Sequence, residues 1–142
     1  MSALVSQTFT VIEGTDRLDF DLVHRWLCND AYWSQGISRE RVEKSFRNSL
    51  SFGVFHEERQ LVGVARLVTD KATFSYLADV FIAPDFRGQG VGKLLMNTIS
   101  VHPDLQGLRR QMLATHDAHD LYAKYGYTAL SRPDRLMEKL ES

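Results

Sequence analysis

Between residues 87 and 93 the chain reads Arg-Gly-Gln-Gly-Val-Gly-Lys, three glycines at alternate positions with a positive charge at each end. Gly88, Gly90 and Gly92 lack Cβ, so the backbone can take positive φ values and a ligand can come close to its N–H groups. An amphipathic helical pattern, Val91, Leu94, Leu95 and Ile99, begins inside the loop. The N–H groups of a first helical turn lack intrahelical partners, and the helix dipole favours negative charge there. Arg87 and Lys93 add to that field, and Gln89 and Val91 supply further backbone donors. The chemistry this combination suits is binding of a diphosphate.

Spacing narrows which diphosphate. A Walker loop needs a glycine where Arg87 stands and a Ser or Thr where Leu94 stands. A dinucleotide fingerprint needs a third glycine at the position of Lys93. What is left, Arg-Gly-x-Gly-x-Gly following an apolar run that ends at Ala83-Pro84, resembles the pyrophosphate loop of the GNAT superfamily of N-acetyltransferases. That resemblance implies acetyl-CoA as cosubstrate, a primary amine of a small molecule or peptide as acceptor, and direct attack in a ternary complex.

Further site residues follow from the resemblance. His119 to Tyr127, with Tyr122 four residues before Gly126 and an aromatic after it, is similar to the family's closing helix, and this makes Tyr122 the general acid that protonates the departing thiolate. A phenol is protonated at neutral pH and can donate to a thiolate, so the chemistry is sound. The backbone of Val80, Phe81 and Ile82 is implied to hold the pantetheine arm and polarise the acyl carbonyl. Thr115 occupies the position of a family asparagine, with Asp117 and His119 as other contacts to the cofactor. Asp79 is the one carboxylate in the run from Phe74 to Ile82. On the alternating set of Leu77 and Phe81 it would be desolvated, and it is a candidate base for the amine or an anchor for a cationic acceptor. Tyr32, Trp33 and Tyr76 are nominated for the acceptor pocket, where aromatics can stack on a ligand or hold a cation. His116, Asp117 and His119 place no third ligand beyond a helix cap, so no metal site is expected.

These residues need a sheet and helices to bring them together. Phe9 to Glu13 reads as a strand ended by Gly14, and Leu18, Leu22, Val23, Trp26 and Leu27 recur at helical spacing behind a cap at Thr15 or Asp16. Ser38 precedes a second helix through Val42, Phe46 and Leu50. The period then changes to two: Phe52 to His56 and Leu61 to Thr69 form a hairpin around residues 57–60, and Phe74 to Ile82 is apolar on both sets, as in a strand covered on both faces. Arg110 to Thr115 is a short strand. Asp117 is placed to cap a brief helix that stops at Gly126, and Tyr127 to Leu130 and Leu136 to Leu140 are the last two strands. The fold class is α/β (α+β). By resemblance it is a mixed, mostly antiparallel sheet with one splayed parallel strand pair and helices on both faces, in a single domain over residues 1–142.

At 142 residues with 44% apolar side chains, one domain can bury a sizeable core. A net charge of −1 gives no electrostatic footprint for nucleic acid. No apolar run approaches a membrane span, and the lone Cys28 cannot form an internal disulfide, which points to a cytoplasmic protein. The oligomeric state is open, a homodimer included. Two other functions compete: a non-catalytic acyl-CoA sensor, which would need the glycine loop but neither Tyr122 nor Asp79, and a nucleotide-phosphate binder.

Overall fold

The computed structural model describes residues 3–5 and 8–141. Six strands form one sheet in sequence order: β1 (Ala3–Val5), β2 (Phe9–Glu13), β3 (Leu50–His56), β4 (Gln60–Thr69), β5 (Phe74–Ile82) and β6 (Arg110–Leu113). Every neighbouring pair is antiparallel except β5 with β6, which run parallel. Short turns join the antiparallel strands from β3 to β5. The parallel step needs a crossover, which the long helix α3 (Val91–Ser100) provides.

Alternating side chains divide the interior into two cores. Phe52, Leu67 and Leu77 face Leu95, Met96 and Ile99 of α3 and Tyr122 of α4 (His119–Ala123). On the other face Phe55, Val64 and Phe81 pack under α1 (Phe20–Arg25) and α2 (Arg39–Arg47), against Val23, Val42 and Phe46. The central strand β3 is buried at every position before His56, as expected of a strand covered on both sides.

The helix starts depend on local capping. Asp19 accepts the backbone N–H groups of Asp21 and Leu22 and so caps α1, in place of the expected Thr15 or Asp16. Ser38 caps α2 through the N–H of Arg41, as its position predicts. Beyond Arg25 the helix widens into a π-turn over Trp26–Asp30, which keeps Trp26 and Leu27 in the core and delivers the chain to Tyr32 and Trp33.

Three further expectations differ from the structure. Leu50, read into the second helix, opens β3, because α2 ends at Arg47. Residues 127–130 and 136–140 form no strand, and Met137 and Leu140 are largely solvent-exposed, so the apolar spacing there is not paired with the outer edge of β6. Asp117 does not cap α4. That helix begins two residues later at His119, and the nearest side-chain cap is the Thr115 hydroxyl, which accepts from the N–H of Ala118. Among the described residues no helix is long and apolar enough to cross a membrane.

Candidate active site

Strand β5 carries the feature that creates the site. Its register with β4 steps from Val64↔Phe81 to Arg66↔Ala78, so one extra residue is accommodated on β5. Asp79 absorbs it with φ of 51°, a left-handed conformation that Asp tolerates better than most residues. Such a bulge changes which face the following side chains address. Leu77 therefore belongs to the α3 core and Phe81, four residues later, to the α1/α2 core. The expectation that Asp79 shares one set with both is corrected by the bulge: the two are on opposite faces, and Asp79 turns its carboxylate to Arg66 of β4 and to Trp33.

Beyond the bulge the parallel partner is lost. Pairing of β5 with β6 ends at Leu77↔Leu113, while β5 continues to Ile82. The two backbones separate into a cleft of about 1050 Å³ walled by residues 76–82 on one side and 113–118 on the other. Tyr32 and Trp33 close its mouth. The Tyr32 hydroxyl accepts from the N–H of His116 across the opening, and its ring meets that of His116 edge-on at 5.5 Å between centroids.

Asp79 is held by two donors. Arg66 Nε donates to Oδ2 at 2.6 Å and Trp33 Nε1 to Oδ1 at 2.7 Å. Arg66 also donates to the Ser49 hydroxyl, and both members of the ion pair are largely buried. The carboxylate is therefore charge-paired, where the sequence suggested an isolated acid. Arg66 is the functional candidate that sequence reasoning missed. Its signal was available, because a lone arginine inside the apolar run Leu61 to Val68 needs a buried partner.

Tyr122 lines the same cleft and is buried, edge-on to Tyr127 at 6.1 Å. Burial pushes the phenol above its ordinary range, with smaller contributions from Tyr127, Asp117 and Tyr32. It is thus a neutral donor at physiological pH. Thr115 and Asp117 lie on the cleft wall, as does Tyr76.

The glycine loop sits at the open end of β5. Gly88 and Gly90 adopt φ of 77° and 83°, and a Cβ built on either meets nothing within 4 Å. Gly90 is the N-cap of α3 and supplies no side chain, so the first N–H groups of that ten-residue helix have no side-chain cap. Arg87 folds back: its Nε donates to the Ile82 carbonyl and its guanidinium lies 5.2 Å from the Phe81 ring centroid. Lys93 is exposed one turn along. An open glycine cradle, uncapped helical donors and two cations fit a diphosphate, and the separated strands beside them fit an extended acyl-bearing arm. Among the described residues no group of three or more His, Cys, Asp or Glu could hold a metal ion.

Comparison with known proteins agrees with this arrangement. Residues 48–129 match the family model described as an acetyltransferase (GNAT) domain. A protein of Gibberella zeae named as a putative acetyltransferase is 31% identical over 128 residues, covering 75% of this chain and 71% of that protein. A crystal structure from Xanthomonas campestris pv. campestris, titled a putative acetyltransferase of the GNAT family, is 47% identical with a TM-score of 0.86, over 92% of this chain and 93% of that one. Glucosamine-6-phosphate N-acetyltransferase from Arabidopsis thaliana shares the fold at 15% identity and a TM-score of 0.66, covering 96% of this chain and all of that one (100%). With the splayed strands, the glycine cradle and the match over most of the sequence all in accord, the chain belongs to the GNAT family of acetyltransferases, whose members transfer acetyl groups from acyl-CoA.

Proposed function

We propose that this protein is an acetyl-CoA-dependent N-acetyltransferase acting on a primary amine of a small molecule or peptide, by direct attack in a ternary complex. The observation that carries the proposal is the convergence of a buried neutral tyrosine, an open β5 edge and a carboxylate on one cleft. The loop from Arg87 to Lys93, including Gln89 and Val91, takes the diphosphate on its backbone N–H groups. Thr115 and Asp117 line the opposite wall of the arm's path. When bound, acetyl-CoA supplies an activated thioester whose acyl group is moved to nitrogen.

Each step then belongs to residues of this chain. The backbone of Val80, Phe81 and Ile82, freed from β6, orients the arm and presents N–H to the acyl oxygen; one such donor is worth about 3 to 4 kcal/mol in other acyl-transfer enzymes. Tyr32, Trp33 and Tyr76 admit the acceptor at the mouth. Asp79 receives the amine as an ammonium, since each of its oxygens retains a lone pair after bonding Arg66 and Trp33. The ammonium passes one proton to water and the amine attacks the acyl carbon. As the C–S bond breaks Tyr122 gives its proton to the departing sulfur, and the second proton lost from nitrogen as the amide forms returns to the phenolate through solvent. The same Asp79 acting through a water as base is the second role open to it. With Cys28 partly buried and unpaired, a reducing, cytoplasmic setting suits the chain.

The test is release of free CoA, followed with a thiol reagent, over a panel of primary amines. Amine-dependent release at rates well above hydrolysis is expected. Tight acetyl-CoA binding with no turnover on any amine would overturn the proposal in favour of a sensor.

A further inference from the structure

Strand register brings more than Asp79 to the acceptor end of the cleft. Arg66 and Val68 of β4 pair with Ala78 and Tyr76 of β5, while Leu67 between them pairs with Leu77 and belongs to the α3 core. Arg66, Val68 and Tyr76 therefore lie on the opposite face, with Arg66 and Tyr76 as diagonal neighbours within reach of one ligand. Cover from α1 and α2 runs out along this row: Val64 is fully buried, Arg66 partly buried and Val68 45% exposed. The row opens onto the cleft, whose wall includes both Arg66 and Tyr76.

Two donors on that face are unused. Arg66 gives Nε to Asp79 and Nη1 to the Ser49 hydroxyl, and its guanidinium lies 6.0 Å from the Phe46 ring centroid. Among the described residues Arg66 Nη2 has no hydrogen-bond partner, and neither has the Tyr76 hydroxyl. The donors of a guanidinium share one rigid planar fork, in which Nη2 stands next to Nε–H, so the free donor projects beside the Asp79 carboxylate. Arg87, the other arginine on the cleft wall, is turned to the Ile82 carbonyl and the Phe81 ring. Charge then limits what can sit there. Arg66 and Asp79 cancel, and Asp30 and Asp117, the other carboxylates on the wall, are exposed and screened. A simple ammonium would leave an unbalanced charge in a partly buried pair, which is costly. A ligand with a carboxylate beside its ammonium keeps the balance.

We infer that the acceptor is a free α-amino acid bound as its zwitterion, with the ammonium on Asp79 and the carboxylate on Arg66 Nη2 and the Tyr76 hydroxyl. The inference rests on the transferase reading and narrows its acceptor; the products are an N-acetyl amino acid and free CoA. Because Nη2 and the Asp79 carboxylate are side by side, the two charges of the ligand must be close as well. In an α-amino acid one carbon separates them. The N-terminus of a peptide carries an uncharged carbonyl at the same place and would leave Arg66 unanswered. Tyr32 and Trp33, exposed at the mouth, remain for the side chain.

The experiment is CoA release by the full chain with the common α-amino acids, each beside the amine left when its carboxyl group is removed, and with 2-aminobutyrate beside its isomer 4-aminobutyrate. The best amino acids should exceed their amines by about 10- to 100-fold in kcat/KM, the range of a charged hydrogen bond. The difference should lie in KM, since the carboxylate contacts are the same before and during reaction, and 2-aminobutyrate should exceed its isomer. Arg66→Lys keeps a charge beside Asp79 but loses the fork, and Tyr76→Phe loses only the hydroxyl. Each should bring the ratio of amino acid to amine toward one, and a ratio is insensitive to loss of folded protein. Equal or faster turnover of the amines, a preference for 4-aminobutyrate, or a ratio that both variants leave unchanged overturns the amino-acid acceptor while the transferase stands. Release with neither class of compound overturns both.

Discussion

Tyr122 and Asp79 both line one cleft, yet their surroundings differ: the phenol is buried among apolar side chains and the carboxylate is paired with Arg66 and Trp33. Tyr122 is surrounded by apolar side chains and its phenol is pushed up by burial, so it keeps its proton. Replacing it with Phe removes the proton and little of the packing. We expect kcat to fall by about 10²- to 10⁴-fold, with acetyl-CoA affinity nearly unchanged by calorimetry; weakened binding at an unchanged kcat would contradict the role. The sign of its pH dependence follows. Because the folded-state pKa lies above the ordinary value near 10, the neutral form and the stability tied to it are fully present below that value and are lost only as pH rises through the folded pKa. A pH–rate profile should therefore show no loss from Tyr122 before strongly alkaline pH. Asp79 is held by Arg66 and Trp33 and suits an ammonium. Asp79→Asn should raise the KM for the amine about 10- to 100-fold, the range of a charged hydrogen bond, with the KM for acetyl-CoA unmoved. A loss confined to kcat, together with disappearance of the acidic limb of the pH profile, would instead identify it as the base.

The bulge in β5 and the start of α3 are where local backbone conformation becomes binding capacity. The bulge at Asp79 follows directly on the last pair with β6, Leu77↔Leu113, so the part of β5 that lines the cleft begins where the strand is irregular. At α3, Gly90 is left-handed at the cap, and no neighbour crowds its Cα. Gly90→Ala should therefore cost about 1 to 2 kcal/mol through φ strain alone. The loop can relax that strain only by turning its N–H groups away from the ligand. Weaker acetyl-CoA binding by calorimetry, in a protein whose far-ultraviolet dichroism is intact, is the expected result; unchanged affinity would show that the loop donors are not used.

Two cores hold the molecule together, and they are tied to different functions. The α1/α2 core supports Trp26, whose ring stacks on Phe81 at 5.4 Å, and through Phe81 the floor of the cleft. The α3/α4 core supports the glycine loop and Tyr122. Leu95 is fully buried in the second core. Leu95→Ala should cost about 2 to 5 kcal/mol by removing transfer energy and leaving a cavity, measured by denaturant unfolding. Acetyl-CoA should then recover part of the lost melting temperature by mass action, because it binds only the folded chain.

The sequence by itself determined the glycine cradle, the alternation of β3 to β5, the helix capped by Ser38 and the position of Tyr122. All of these rest on contacts between near neighbours or on a periodicity written in the residues themselves. Three features were decided only by the tertiary structure. The bulge at Asp79 is a mismatch in count between two strands, and no single strand carries it. The pairing of Asp79 with Arg66 joins residues on neighbouring strands whose register depends on that bulge. Residues 127–130 and 136–140 have strand-like spacing, but a strand exists only where it pairs with another, and among the described residues neither segment pairs with the open edge of β6.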